Sequence, residues 1–157
     1  MSKKSSNVFI SHHSKDDMHI GKMRELLARG GYSIKNSSVD SSRWNRATDE
    51  GYIRRLLRMR INWSGTCIVL LSDTTHSREW VNWEIETANR LGKRIIGVHC
   101  LGSTGCELPE ALKKYGNAIV GWQSDRIIGA INGTINNFEE PDGSSSDALF
   151  SSSSVVC

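Results

Sequence analysis

Four short runs of this chain are almost wholly apolar: Val8-Phe9-Ile10, Cys67-Ile68-Val69-Leu70-Leu71, Ile95-Ile96-Gly97-Val98 and Ala118-Ile119-Val120. Their length and β-branched content predict buried strands, over Asn7–Ser11, Cys67–Leu71, Arg94–Val98 and Ala118–Trp122. A weaker strand is expected from Tyr32 to about Val39. Between these runs, apolar residues recur at spacings of three and four, the period of an amphipathic helix. The first such stretch has Ile20, Met23, Leu26 and Leu27 on one side. Ser14-x-x-Asp17 resembles a capping box at its start, and Gly30-Gly31 closes it. The second, from about Thr48 to Asn62, carries Ile53, Leu56, Leu57 and Ile61. The third opens after the polar loop Ser72–Ser77 and ends at Gly92. A short helix is expected between Pro109 and Tyr115, and a last one over Ser124–Asn136 on Ile127, Ile128, Ile131 and Ile135.

Strands that are apolar throughout, rather than alternating, imply a parallel sheet covered on both faces. Five strands alternating with five helices predict an α/β fold, a flavodoxin-like three-layer sandwich around a five-stranded parallel sheet. Ligands in such sheets bind beyond the carboxyl ends of the strands, at the topological switch point. Three polar loops fall at those ends: Ser11–Lys15, Asp40–Arg46 and Ser72–Ser77. One cleft would gather His12, Arg43, Trp44, Ser77, Trp80 and Glu84.

Glu84 is the chemical anomaly. On a wheel of about 100° per residue, it falls inside the arc spanned by Val81, Ile85, Ala88, Leu91 and Trp80, whereas Glu86 falls on the polar side. A carboxylate on a buried stripe is costly unless it is paired or used. Glu84 is therefore the candidate reactive group, the alternative being a structural carboxylate tied to a loop amide or an arginine. The neighbours divide in the same way. Trp80 reads as a packing residue or a substrate contact, Ser77 as a helix N-cap or a site hydroxyl, and His12 as a loop residue or part of the site. Trp83 projects away from the apolar arc, toward a partner surface.

Composition narrows the classes. The chain has 157 residues, 38% hydrophobic and 24% charged, which suits one globular domain. No apolar run approaches the roughly 18 residues of a membrane helix, and Met1–Ser6 lacks the apolar core of a signal peptide. The four cysteines show no metal or disulfide spacing, which fits a reducing cytoplasm and predicts no metal site. The net charge of +3 is uneven: residues 1–60 carry +7, residues 61–137 carry 0, and residues 138–157 carry −4. Arg54, Arg55, Arg58 and Arg60 share one helix and read mainly as a solvated face. The remaining basic residues are scattered, so nucleic acid is not expected as a partner. A phosphoacceptor domain is disfavoured because Ser11-His12-His13-Ser14 replaces an acidic pair after the first strand. The absence of a Gly-rich phosphate loop disfavours a flavodoxin or a Rossmann enzyme.

Two motifs carry a resemblance. Val8-Phe9-Ile10-Ser11-His12 resembles the first-strand motif of TIR domains, and Trp80-Val81-Asn82-Trp83-Glu84 matches the WxxxE pattern of TIR enzymes, with Ser77 one turn before it. Together with Gly92-Lys93-Arg94-Ile95-Ile96-Gly97-Val98, the helix motif is similar to the TIR-like proteins of bacterial Thoeris antiphage systems. The resemblance covers a TIR-like domain over residues 7–137; the flanks, an N-terminus (1–6) and an acidic, Ser-rich tail (138–157) poor in large apolar residues, are expected to be disordered. It also implies an enzyme that takes NAD as substrate, without a further cofactor, and cleaves the nicotinamide–ribose bond. A cyclic or modified ADP-ribose signal would follow, sensed by an effector protein, and a homo-oligomer is possible within the family. Glu84 would be catalytic, supported by Trp80, with Ser11 and His12 lining the dinucleotide site. Two other readings stay open: a TIR interaction module that signals by assembly alone, and a nucleoside deoxyribosyltransferase-like enzyme.

Overall fold

A computed structural model describes residues 5–12, 17–36, 50–72, 79–100 and 108–140. In chain order the elements are β1 (Ser5–Ser11), α1 (Asp17–Arg29), β2 (Ser33–Asn36), α2 (Glu50–Trp63), β3 (Thr66–Leu71), α3 (Glu79–Arg90), β4 (Arg94–His99), α4 (Glu110–Tyr115), β5 (Ala118–Val120) and α5 (Ser124–Asn132). The strands form one sheet in the order β2-β1-β3-β4-β5, and every pairing is parallel. This is the flavodoxin-like order, so the expected fold is the observed one.

The central strand explains the arrangement. All six residues of β3 are buried, because β1 and β4 pair on its two sides and helices cover both faces. Val8, Ile10, Ile68, Leu70, Ile96 and Val98 point to one face, where Met23 and Leu27 of α1 and Ile127 and Ile131 of α5 cover them. Phe9, Cys67, Val69, Leu71 and Ile95 point to the other, against Leu57 and Ile61 of α2, Val81 and Ile85 of α3 and Leu112 of α4. From β1 the chain steps outward to β2, then crosses back to β3, so the switch point lies between the carboxyl ends of β1 and β3.

Several boundaries differ from the sequence expectation, each for a local reason. β1 begins at Ser5, since Ser5 and Ser6 pair with Ser33 and Ile34 of β2; the strand reaches into the stretch expected to be disordered. α5 stops at Asn132 instead of Asn136. Gly133 adopts φ +86°, a left-handed value open to glycine, and the amides of Thr134 and Ile135 then turn back onto the Gly129 carbonyl. The chain next runs beside β5. Ile119 donates to the Asn137 carbonyl, Glu139 donates to the Ile119 carbonyl, and Phe138 and Glu139 are buried. The folded unit therefore passes the boundary expected at residue 137. Ser14, the proposed cap of α1, lies outside the described residues.

Arg94, at the start of β4, holds this return segment. Its Nε donates to the Ala130 carbonyl at 2.6 Å, and its Nη2 donates to the Ile135 carbonyl and to Asn136 Oδ1, each at 2.8 Å. One bond adds to the last turn of α5, at the Ala130 carbonyl that also accepts from the Gly133 amide, and the other two hold the segment that follows the helix. Among the described residues no helix is long and apolar enough to cross a membrane. Replacing Arg94 by Met should lower stability by about 3 kcal/mol, measured by urea unfolding, with protease sensitivity rising first around Gly133.

Candidate functional site

Strand parity and helix phase bring the site together. Along β1, Phe9 and Ser11 point to the face covered by α2, α3 and α4, while Val8 and Ile10 point to the opposite one. The register sets Ser11 beside Val69 of β3, at the carboxyl end of the sheet. α3 lies on this same face with Val81, Glu84, Ile85, Thr87 and Ala88 buried. Its phase directs Glu84 to the switch point, where Ser11 Oγ and Glu84 Oε1 hydrogen-bond at 2.6 Å. Both residues are buried, Ser11 at 0% and Glu84 at 3% exposure. The partner of the buried carboxyl is thus a strand hydroxyl, in place of the arginine or loop amide weighed from the sequence.

Burial pushes the Glu84 carboxyl up to about 8, and the Ser11 hydroxyl opposes that shift because it favours the ionised form. The Cys67 thiol, on the β3 residue facing the same side, is pushed up by burial and then by the charge of Glu84. Near neutral pH the site therefore holds a mostly protonated carboxyl beside a neutral thiol. A cation placed next to Glu84 would draw the proton off.

His12 continues β1 and is half-buried. Its Nδ1 lies 3.0 Å from the Ile10 carbonyl, an acceptor, so Nδ1 carries the proton. Trp80 is half-buried in the first turn of α3 and meets Trp83 edge to face at 5.7 Å. The Arg54 guanidinium of α2 lies over both rings, 5.6 Å from each centroid. This corrects two expectations. Trp83 packs against the core and α2 instead of projecting freely, and Arg54 belongs to that contact rather than to a purely solvated face. The isolated helix wheel misplaces Trp83 because it contains no information on where α2 crosses α3. Arg43, Trp44 and Ser77 lie outside the described residues.

Sequence reasoning does not single out His99 and Glu139, which form a second buried polar group where the last residue of β4 meets the segment running beside β5. His99 Nε2 donates to the Glu139 carbonyl at 2.9 Å, leaving Nδ1 buried and without a partner. Burial lowers the His99 pKa, against the opposing Glu139 carbonyl and the charges of Glu140 and Glu139. The Glu139 carboxylate is ion-paired with Arg126 and accepts from the Gly121 amide. Its sequence signal is faint: one histidine at the polar end of an apolar strand and one glutamate in an acidic tail. No cluster of metal-ligating side chains occurs among the described residues.

The family described as Thoeris protein ThsB, TIR-like domain, matches residues 9–104. The chain belongs to this family. The matched span includes Ser11, His12, Trp80 and Glu84. This TIR-like chain is also 29% identical over 96 residues to a Bacillus cereus (strain MSX-D12) protein named "Putative cyclic ADP-D-ribose synthase ThsB1". The alignment covers 59% of this chain and 50% of that relative, so the chain spans half of the relative's length. Solved structures with partial similarity include Clostridium botulinum CMP N-glycosidase BcmB, 17% identical at TM-score 0.40 over 59% of this chain and 71% of that one. The TIR domains of the activated Roq1 resistosome, which directly recognises the pathogen effector XopQ, are 17% identical at TM-score 0.41, over 60% and 57% of the two chains.

The buried carboxyl has a consequence for the TIR-like domain's stability. The folded state keeps a proton on Glu84 that the unfolded chain releases near pH 4.5, so stability falls as pH rises from about 4.5 to about 8 and levels off above. Glu84→Gln, neutral at every pH, should remove a decline of a few kcal/mol over that window. Urea unfolding of both proteins at pH 5 and pH 8.5 measures it; parallel losses in the two proteins would contradict the assignment.

Proposed function

We propose that this TIR-like chain is an NAD-consuming enzyme that cleaves the nicotinamide–ribose bond and releases a cyclic or modified ADP-ribose signal for an effector protein in antiphage defence. The observation that carries the reading is the Ser11–Glu84 pair, a carboxyl buried beside the switch point. Family membership and the name of the Bacillus cereus relative support the choice of NAD.

The chemistry asks little of the protein beyond this carboxyl. Nicotinamide departs as a neutral molecule carrying the electron pair of the broken C–N bond, so no acid is needed to protonate the leaving group. The pair of carboxylates used by ordinary glycosidases reduces to one, which stabilises the positive charge developing at the ribose carbon. Glu84 must be ionised for this task. The cationic nicotinamide ring of a bound NAD supplies the bias, because a positive charge within a few ångströms lowers a neighbouring carboxyl's pKa. A buried setting strengthens the attraction relative to water. Water or a nucleophilic atom of the same nucleotide then captures the ribose carbon.

In this reading NAD is the substrate, and His12, Arg43, Trp44, Ser77 and Trp80 are its proposed contacts. Nicotinamide release by wild type and Glu84→Gln, followed by chromatography, tests the proposal, with product masses identifying the acceptor. The variant should lose at least about 100-fold in rate. Equal release by the two proteins would remove Glu84 from the chemistry. No release by wild type, even with infected-cell lysate added as trigger, would favour an interaction module.

A further inference from the structure

We propose that Ser11 is a positioning residue for Glu84 rather than a contact for the dinucleotide. The inference rests on the reading of Glu84 as the reactive carboxyl, and it reverses the expectation that Ser11 lines the substrate site.

A serine hydroxyl has a single proton to donate, and here the Ser11 hydroxyl is committed to Glu84 Oε1 at 2.6 Å. The residue has no exposed surface from which to meet a ligand. Its backbone is fixed by the β1–β3 register rather than by a loop, and its partner stands 73 residues away on a helix. A strand therefore holds one oxygen of a helix carboxylate in place, which leaves the second oxygen to a substrate. The bond also acts on ionisation. It strengthens when the carboxyl loses its proton, and so moderates the effect of burial.

Among the described residues, no charged group of the neighbouring elements is bonded to Glu84. β3 presents the neutral Cys67 thiol, and β4 ends in His99, whose ring is bonded to the Glu139 carbonyl. Arg54 of α2 lies over Trp80 and Trp83. Glu110 and Lys113 of α4 are paired with each other. His12, at the end of β1, bonds to the Ile10 carbonyl.

The test is a carboxyl-carbon NMR titration of protein labelled with ¹³C-glutamate, with Glu84→Gln identifying the resonance. Ser11→Ala should move the Glu84 midpoint upward by about one pH unit. The nearly isosteric Ser11→Cys, a weak donor, should do the same without a cavity, and Ser11→Thr should restore the wild-type value. An unmoved midpoint in both Ser11→Ala and Ser11→Cys would overturn the proposal. This readout needs no turnover, so it stands apart from the failure of the enzymatic reading, which would appear as absent nicotinamide release by wild type. In the turnover assay, Ser11→Ala should lower kcat about tenfold and leave the KM for NAD nearly unchanged. A raised KM with unchanged kcat would instead make Ser11 a substrate contact.

Discussion

A parallel sheet must be covered on both faces, and the rest of this chain answers to that constraint. β3, buried over its full length, sits between β1 and β4 and under helices on both sides. Covering it requires α1 and α5 on one face and α2, α3 and α4 on the other. α3 is thereby pressed against the ends of β1 and β3, and any polar side chain on its inner stripe is forced into a dry environment. Glu84 is such a side chain, and Ser11 is the hydroxyl that the strand offers it. The site is a product of the packing, at the place where the chain changes direction across the sheet.

Burial and bonding act on Glu84 in opposite senses. Removal from water disfavours its charge, the Ser11 bond favours it, and burial prevails. The carboxyl is left poised near the pH at which cells work, which suits the proposed role, in which it becomes anionic when a cationic substrate binds. Such a site departs from the rule that cores exclude ionisable groups, and cost of this kind is found where proteins do chemistry.

Much of this was legible in the residues. Glu84 stands out because helical period alone places a carboxylate among Val81, Ile85 and Ala88. The strands stand out because a sheet buried on both faces needs unbroken apolar runs. The Ser11 bond was not legible, since it depends on register between elements far apart in sequence. Helical period carries α5 too far because Ile135 keeps it, while Gly133, in a left-handed conformation, turns the chain back. Glu139 was hidden in an acidic tail whose composition suggests disorder, yet it pairs with Arg126 beside β5. A wheel misplaces Trp83 because it treats a helix alone, whereas α2 supplies the cation that covers its ring.

In the proposed reading, the Ser11–Glu84 pair marks the place where the nicotinamide-bearing ribose is held. A crystal structure with an NAD analogue whose nicotinamide–ribose link cannot be cleaved tests this most directly. The expected result is a hydroxyl of that ribose within hydrogen-bonding distance of the Glu84 carboxylate, with the Ser11 bond to the other oxygen intact. An analogue seated away from the carboxyl ends of β1 and β3, or one that leaves Glu84 untouched, would contradict it.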